Sequence, residues 1–261
     1  TLAGAWKSHS GTNLSQLHKL PTNPFTYYRE SGFYNGMINP LVGLPIRGVL
    51  WYQGEANARQ SSQYEDLLRL WIADWRGKFG PVPFFIVQLP NYDTPTNVST
   101  HEGWVQIMEA QAKVVSSTDS TALVVINDVG TLNNIHPTNK EPVGKRLALA
   151  AQKLIYGDKV VGYSPSFNSM TKEGAKLRIS FKDLGSGLKV TDNGPIKGFE
   201  VCGADGKYVP ATAVLDKNTV VVSNPAIPDP QQVRFNWTDT PTVNLYNREG
   251  FPVAPFRTDN F

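Results

Sequence analysis

Cysteine is almost missing from this sequence: one residue, Cys202, stands among 261. A single thiol excludes an internal disulfide and a cysteine-ligated zinc site, and its ordinary place is as a small buried residue in a strand. Its scarcity is compatible with the cytoplasm and with an oxidising compartment. Long apolar runs are missing too. No stretch approaches the roughly 18 residues of a membrane span, and the N-terminus shows neither a basic segment nor an apolar signal core. Charge of one sign is not in excess, since 25 basic and 22 acidic residues leave a net +3. Spread without runs, these charges mark neither a nucleic-acid arm nor a membrane-binding helix. Three of the four histidines, His9, His18 and His101, lack metal-ligand spacing and are read as surface or structural. The sequence has no Gly-x-Ser-x-Gly elbow, no Gly-Asp-Ser, no phosphate-binding glycine loop and no His-Glu-x-x-His.

What is present suffices for a full core: 40% of residues are hydrophobic and 11% aromatic. The length suits one large or two small domains. From residue 45 to about 157, short β-branched or aromatic runs alternate with amphipathic stretches of helical period, the mark of α/β architecture with a parallel sheet. Strands are expected at 46–51, 83–89 and 121–126. Ser62-Gln63-Tyr64-Glu65 reads as a capping box opening a helix with Tyr64, Leu67, Leu68, Trp71 and Trp75 on one face. The second helix carries the stripe Trp104, Ile107, Met108, Gln111 and Val115. The third has Pro142 in its first turn, Val143, Leu147, Ala150, Ala151 and Leu154 on one face, and Gly157 as its stop. Beyond Gly162 short strands such as 177–181 and 219–222, split by turn residues, make a β-rich tail. The expected boundary divides 1–160 from 161–261. Residues 1–44 carry no clear helix or strand signal.

Ligands of an open α/β sheet bind beyond the C-terminal ends of its strands. Those positions hold Gln53, Gly54, Glu55 and Asn57 after the first strand, and Asn91, Tyr92 and Asp93 after the second. After the third come Asn127, Asp128, Asn133, Asn134 and His136. His136 is the candidate general base, because imidazole titrates near neutrality and can relay a proton. Such a base needs an orienting acceptor. Asp128 either supplies it or caps its own loop, and Asn133, three before the histidine, could hold the ring only without charge. Gln53 either donates its amide to a developing oxyanion or ties its loop together. Gly54, Glu55 and Asn57 are placed beside it as substrate-binding residues, with Glu55 read as a loop organiser rather than an acid or base.

The run Leu50-Trp51-Tyr52-Gln53-Gly54-Glu55-Ala56-Asn57 resembles the "WYQGESN" block of the sialate O-acetylesterases, within the SGNH-hydrolase superfamily. Tyr34-Asn35-Gly36-Met37-Ile38-Asn39-Pro40-Leu41 is similar to that family's "YNGMIAPL", Asp74-Trp75-Arg76 to its "DWR", Val87-Gln88-Leu89 to its "VQL" and Glu109-Ala110-Gln111 to its "REAQ". Asp128-Val129-Gly130, Ile135-His136-Pro137-Thr138-Asn139-Lys140 and Gly144-Lys145-Arg146-Leu147-Ala148 resemble "D-G…IHPxNK…GxRLA". Asn244-Leu245-Tyr246-Asn247 and Pro255-Phe256-Arg257-Thr258-Asp259 match closing blocks. Together they run in order along nearly the whole chain.

The resemblance implies a flavodoxin-like three-layer domain followed by β structure, and a serine acyl-enzyme mechanism that removes O-acetyl groups from sialic acid. His136 would be the base and Gln53 a side-chain member of the oxyanion hole. It places the nucleophilic serine a few residues before Thr1, in a segment like "S-x-W-G-G-T-x-x-E-A-W" whose second half resembles Thr1-Leu2-Ala3-Gly4-Ala5-Trp6, with Gly4 where Glu is usual. The chain by itself is then expected to be inactive, its missing partner being that upstream segment. An O-acetylated sugar is the implied substrate and neither metal nor organic cofactor is implied, nor nucleic acid or membrane as partner. The substrate class implies secretion or the periplasm. Another acetylated glycan such as a hemicellulose, or a non-catalytic carbohydrate-binding relic, is the alternative.

Overall fold

Three short parallel strands carry the chemistry-bearing loops of the computed structural model, which describes residues 31–93, 103–192 and 194–259. They are β1 (Val49–Tyr52), β2 (Phe84–Val87) and β3 (Thr121–Val124), hydrogen-bonded in the order β1-β2-β3. The register pairs Val49 with Phe84 and Phe84 with Thr121. The central strand reads Phe-Phe-Ile-Val without alternation because helices cover both of its faces. Phe84 and Ile86 enter one core with Tyr64, Leu68, Ile107 and Met108, while Phe85 and Val87 enter another with Val143 and Ala150. All four are fully buried, each contributing about 1.5–3 kcal/mol by leaving water.

Helices α1 (Tyr64–Phe79), α2 (Trp104–Ser116) and α3 (Glu141–Ile155) connect and follow the strands, α1 and α2 on the first core and α3 on the second. Pro142 sits in the first turn of α3, and Gly157, with φ of 70°, follows its end. Two expectations for α1 need correction. The Ser62–Glu65 capping box does not form, because a 3₁₀ stretch (Glu55–Gln63) already runs into the helix and Gln63 has helical angles without a side-chain cap. The inward face includes Ile72, whereas Leu67 is 47% exposed.

Beyond residue 165 all pairing is antiparallel. One sheet orders β4 (Ser166–Glu173), β5 (Lys176–Lys182), β10 (Thr219–Ser223) and β9 (Thr212–Asp216). A second orders β13 (Phe256–Arg257), β11 (Gln232–Phe235), β7 (Phe199–Cys202) and β8 (Val209–Pro210). Both contribute to one apolar core containing Ile179, Phe199, Val220, Val233 and Phe235. The antiparallel pair of β6 (Leu188–Val190) and β12 (Leu245–Asn247) completes this half. Sheet type therefore changes between β3 and β4, and Pro45–Phe261 forms one compact unit. Arg257 bridges to Glu109 at 2.8 Å, and Asp239 accepts a 2.9 Å bond from the Val105 amide at the start of α2, where a carboxylate suits the helix dipole.

Thr1–Leu44 is a separate unit; of its described part, Tyr34–Ile38 forms a π-helical turn and Asn39–Leu41 a 3₁₀ turn. The 1–6 segment, His9, His18 and His101 lie outside the described residues. Among the described residues no helix is long and apolar enough to cross a membrane.

Candidate active site

Gln53 is the first residue beyond β1, and its amide is locked. The Tyr64 hydroxyl donates to the Gln53 carbonyl at 3.0 Å and to Oε1 at 3.4 Å, while Nε2 donates to Asn57 Oδ1 at 2.6 Å. One of its two amide hydrogens is thereby used. Gln111, fully buried on α2, donates to the Gln53 carbonyl at 3.0 Å and accepts from the Leu89 amide at 3.0 Å, so it joins the ends of β1 and β2. The turn itself needs Gly54. Its φ is 147°, and a Cβ there would lie 2.8 Å from Ile107 Cγ2. Gly54 is buried, Glu55 and Asn57 half-buried, and Glu55 opens the 3₁₀ stretch. Burial, reinforced by the Glu55 charge, pushes the Tyr52 phenol up to about 12.

The other two strand ends are stitched together. Asn91 Oδ1 accepts from the Gly130 amide at 2.8 Å, and the Leu132 carbonyl accepts from the Asp93 amide at 2.7 Å. A Cβ on Gly130 would collide with the Asn91 carbonyl oxygen at 2.1 Å, so glycine is needed for this approach. The third loop folds on itself: Thr131 bridges Asn134, and Asn134 Oδ1 accepts from the His136 amide at 2.9 Å. Ile135 packs on the first core and Pro137 is buried, so the exposed His136 is bracketed by two anchored neighbours. Lys140 then reaches the end of β1, its Nζ 3.3 Å from the Tyr52 hydroxyl and 4.7 Å above the ring. Gln53 and His136 thus follow parallel strands at the same edge of the sheet.

Asp128 has a different neighbourhood from the one expected of a triad acid. Its two oxygens accept from Arg146 Nη1 at 2.6 Å and Nη2 at 2.7 Å, and Tyr246 adds a bond of 3.3 Å to Oδ2. Each member of the ion pair has only 10% of its side chain exposed. Among the described residues the His136 imidazole has no hydrogen-bond partner, the exposed Asn133 side chain included. The Asn127 amide, just before Asp128, is fully buried, and among the described residues neither of its polar atoms is bonded. A cavity of about 390 Å³ lies elsewhere, between α2, β3 and the antiparallel half, lined by Met108, Tyr163, Phe167 and Trp237; Gln53, Asp128 and His136 do not reach it.

The profile of the family described as "Carbohydrate esterase, sialic acid-specific acetylesterase" matches residues 7–153. The chain belongs to that family. Among its acetylesterase relatives, sialate O-acetylesterase of Mus musculus is 28% identical over 246 residues, covering 82% of this chain and 43% of the relative. That of Homo sapiens is 30% identical over 178 residues, 59% and 34% of the two chains. A crystal structure of a novel carbohydrate acetylesterase from Xanthomonas citri superposes with a TM-score of 0.80 at 39% identity, covering 87% of this chain and 54% of that one. The chain thus spans about half the length of these acetylesterases or less. Within its own span, reasoning from sequence missed the support residues Tyr64, Gln111, Arg146 and Tyr246. Arg146 carried a usable signal: it falls with Val143 and Ala150 on the buried stripe of α3, where a guanidinium requires a partner.

Proposed function

We propose that this chain supplies the acid–base and oxyanion half of a carbohydrate O-acetylesterase acting on O-acetylated sialic acid. The observation that carries the reading is the tethered Gln53 side chain, its Nε2 bonded to Asn57 and its Oε1 3.4 Å from the Tyr64 hydroxyl, on a backbone carbonyl that Gln111 also holds, at the edge of the sheet that also bears His136. A preorganised donor of this kind stabilises charge as it develops without reorganising during the reaction. The serine expected ahead of Thr1 attacks the acetyl carbonyl, and His136 takes its proton. When the tetrahedral intermediate collapses, the same imidazole returns that proton to the departing sugar hydroxyl. Water, deprotonated by His136, then attacks the acyl-enzyme, and the imidazolium returns that proton to the serine oxygen as acetate leaves. Gln53 Nε2 faces the oxyanion in both steps. Asp128 acts indirectly in this reading, since Arg146 holds both of its oxygens.

The test is acetate release by the complete protein. O-acetylated sialic acid and acetylated xylan are compared, with Gln53→Ala and His136→Ala beside the parent. Gln53→Ala is expected to lower kcat about 100- to 1,000-fold, the usual loss of one oxyanion donor. Preference for xylan would reassign the sugar. No release from either substrate by the folded parent would leave a binding protein.

A further inference from the structure

The ion pair of Asp128 does more than neutralise a buried carboxylate, because its partner touches three separate pieces of chain. Arg146 Nη1 also donates to the Val125 carbonyl, at 2.8 Å, just beyond β3. Nη2, besides Asp128, lies 3.5 Å from the Gly250 carbonyl. Gly250 belongs to the turn after β12, closed by the Asn247 amide bonded to the Phe251 carbonyl at 2.9 Å and by Asn247 Oδ1 accepting from the Phe251 amide at 2.8 Å. Tyr246, on the same hairpin, reaches Asp128 from the other side. Burial, with the Asp128 charge next, pushes the Tyr246 phenol well above the usual tyrosine range, so it remains a donor. The guanidinium thus joins the end of β3, the first residue of the His136 loop and an antiparallel hairpin more than a hundred residues downstream.

We propose that Arg146 and Tyr246 are positioning residues that hold the 128–137 loop through the Asp128 carboxylate, so that the C-terminal β region sets where His136 stands. The inference rests on the reading of His136 as the general base. The loop is also fixed by Ile135 on the first core and buried Pro137, while its Thr131–Asn134 bridge is internal and the bonds to Asn91 and Asp93 reach only its middle. His136 therefore takes its place from its neighbours Ile135 and Pro137 together with Asp128 at one end of the loop and Lys140 at the other. A fork that binds two carboxylate oxygens and two carbonyls fixes orientation as well as distance, which lysine cannot reproduce. Misplacing a base by about 1 Å costs up to about a hundredfold in rate.

Two measurements decide it. Hydrogen exchange on the 261-residue chain compares parent, Tyr246→Phe and Arg146→Lys. The expected result for Tyr246→Phe is faster exchange of peptides covering 128–137, with α2 and β5 unchanged. Kinetics on the complete protein should show kcat about three- to tenfold lower for Tyr246→Phe, the span of one hydrogen bond, with KM within twofold. Arg146→Lys should cost ten- to a hundredfold in kcat, and its retained charge should not restore the rate. Unchanged exchange of 128–137 in folded Tyr246→Phe would overturn the proposal, as would an unchanged kcat. Inactivity of the parent toward every acetyl ester would sink the esterase reading instead, and exchange would still decide the latch. If Arg146→Lys fails to fold, Tyr246→Phe, which removes one oxygen, carries both readouts.

Discussion

Replacing Gly54 by alanine adds one methyl group at a place where both the backbone and the packing refuse it. With φ at 147° and ψ at −18°, the residue lies where side-chain-bearing residues are strained, by about 1–3 kcal/mol. The new Cβ would stand 2.8 Å from Ile107 Cγ2, and 3.4 Å from both Gln111 Nε2 and Leu89 Cδ2. Ile107 and Leu89 are fully buried, so neither can withdraw without disturbing the core, and overpacking adds about 1–3 kcal/mol more. The sum, about 2–6 kcal/mol, is a large part of the 5–15 kcal/mol that holds an ordinary domain together. Urea unfolding of the 261-residue chain, followed by tryptophan fluorescence, would measure it; Trp104, 1% exposed, sits in the same core. Gly77→Ala is the control. It lies on the exposed side of α1 with nothing within 4 Å of a Cβ and should gain about 0.5–1 kcal/mol. A loss below about 0.5 kcal/mol for Gly54→Ala would refute the assigned strain and contact.

Asp239→Ala removes the acceptor of the Val105 amide and should destabilise the chain by about 0.5–2 kcal/mol, readable in the same unfolding experiment. No change would mean that solvent caps α2 equally well. Asn127→Leu exchanges a buried amide with no partner among the described residues for an apolar group of similar size and should stabilise by about 1–3 kcal/mol, a rise in the urea midpoint. A lower midpoint would show that the amide is satisfied in solution. The 261-residue chain should release no measurable product from an aryl acetate, because the family resemblance puts the nucleophilic serine in a segment ahead of Thr1. Turnover matching the complete protein would place the nucleophile inside this chain.

Elements that bury a periodic face were legible from sequence, and their positions agree to within a few residues. The strand expected at 83–89 is β2 at Phe84–Val87, and the third helix is bounded by Pro142 and Gly157 as read. The Ser62–Glu65 cap failed because a local pattern cannot reveal the 3₁₀ stretch that arrives already wound. At the site, strand-end logic placed Gln53, Asp128 and His136 on loops at one edge of the sheet. It could not see that Asp128 is held by Arg146 and Tyr246, because that contact joins residues 18 and 118 positions away. A carboxylate beside a histidine in sequence says little about which cation claims it.

The carboxylate that caps α2 comes from 134 residues later, and the arginine that meets Glu109 from 148 residues later. A ribosome adding roughly 5–20 residues per second needs on the order of ten seconds or more to supply them. During that interval the emerging parallel sheet has no Asp239 at the start of α2 and no Tyr246 beside Asp128. Closure of such distant contacts is slow even in a finished chain. A premature stop anywhere before residue 239 therefore removes every one of these ties between α2 and the antiparallel half.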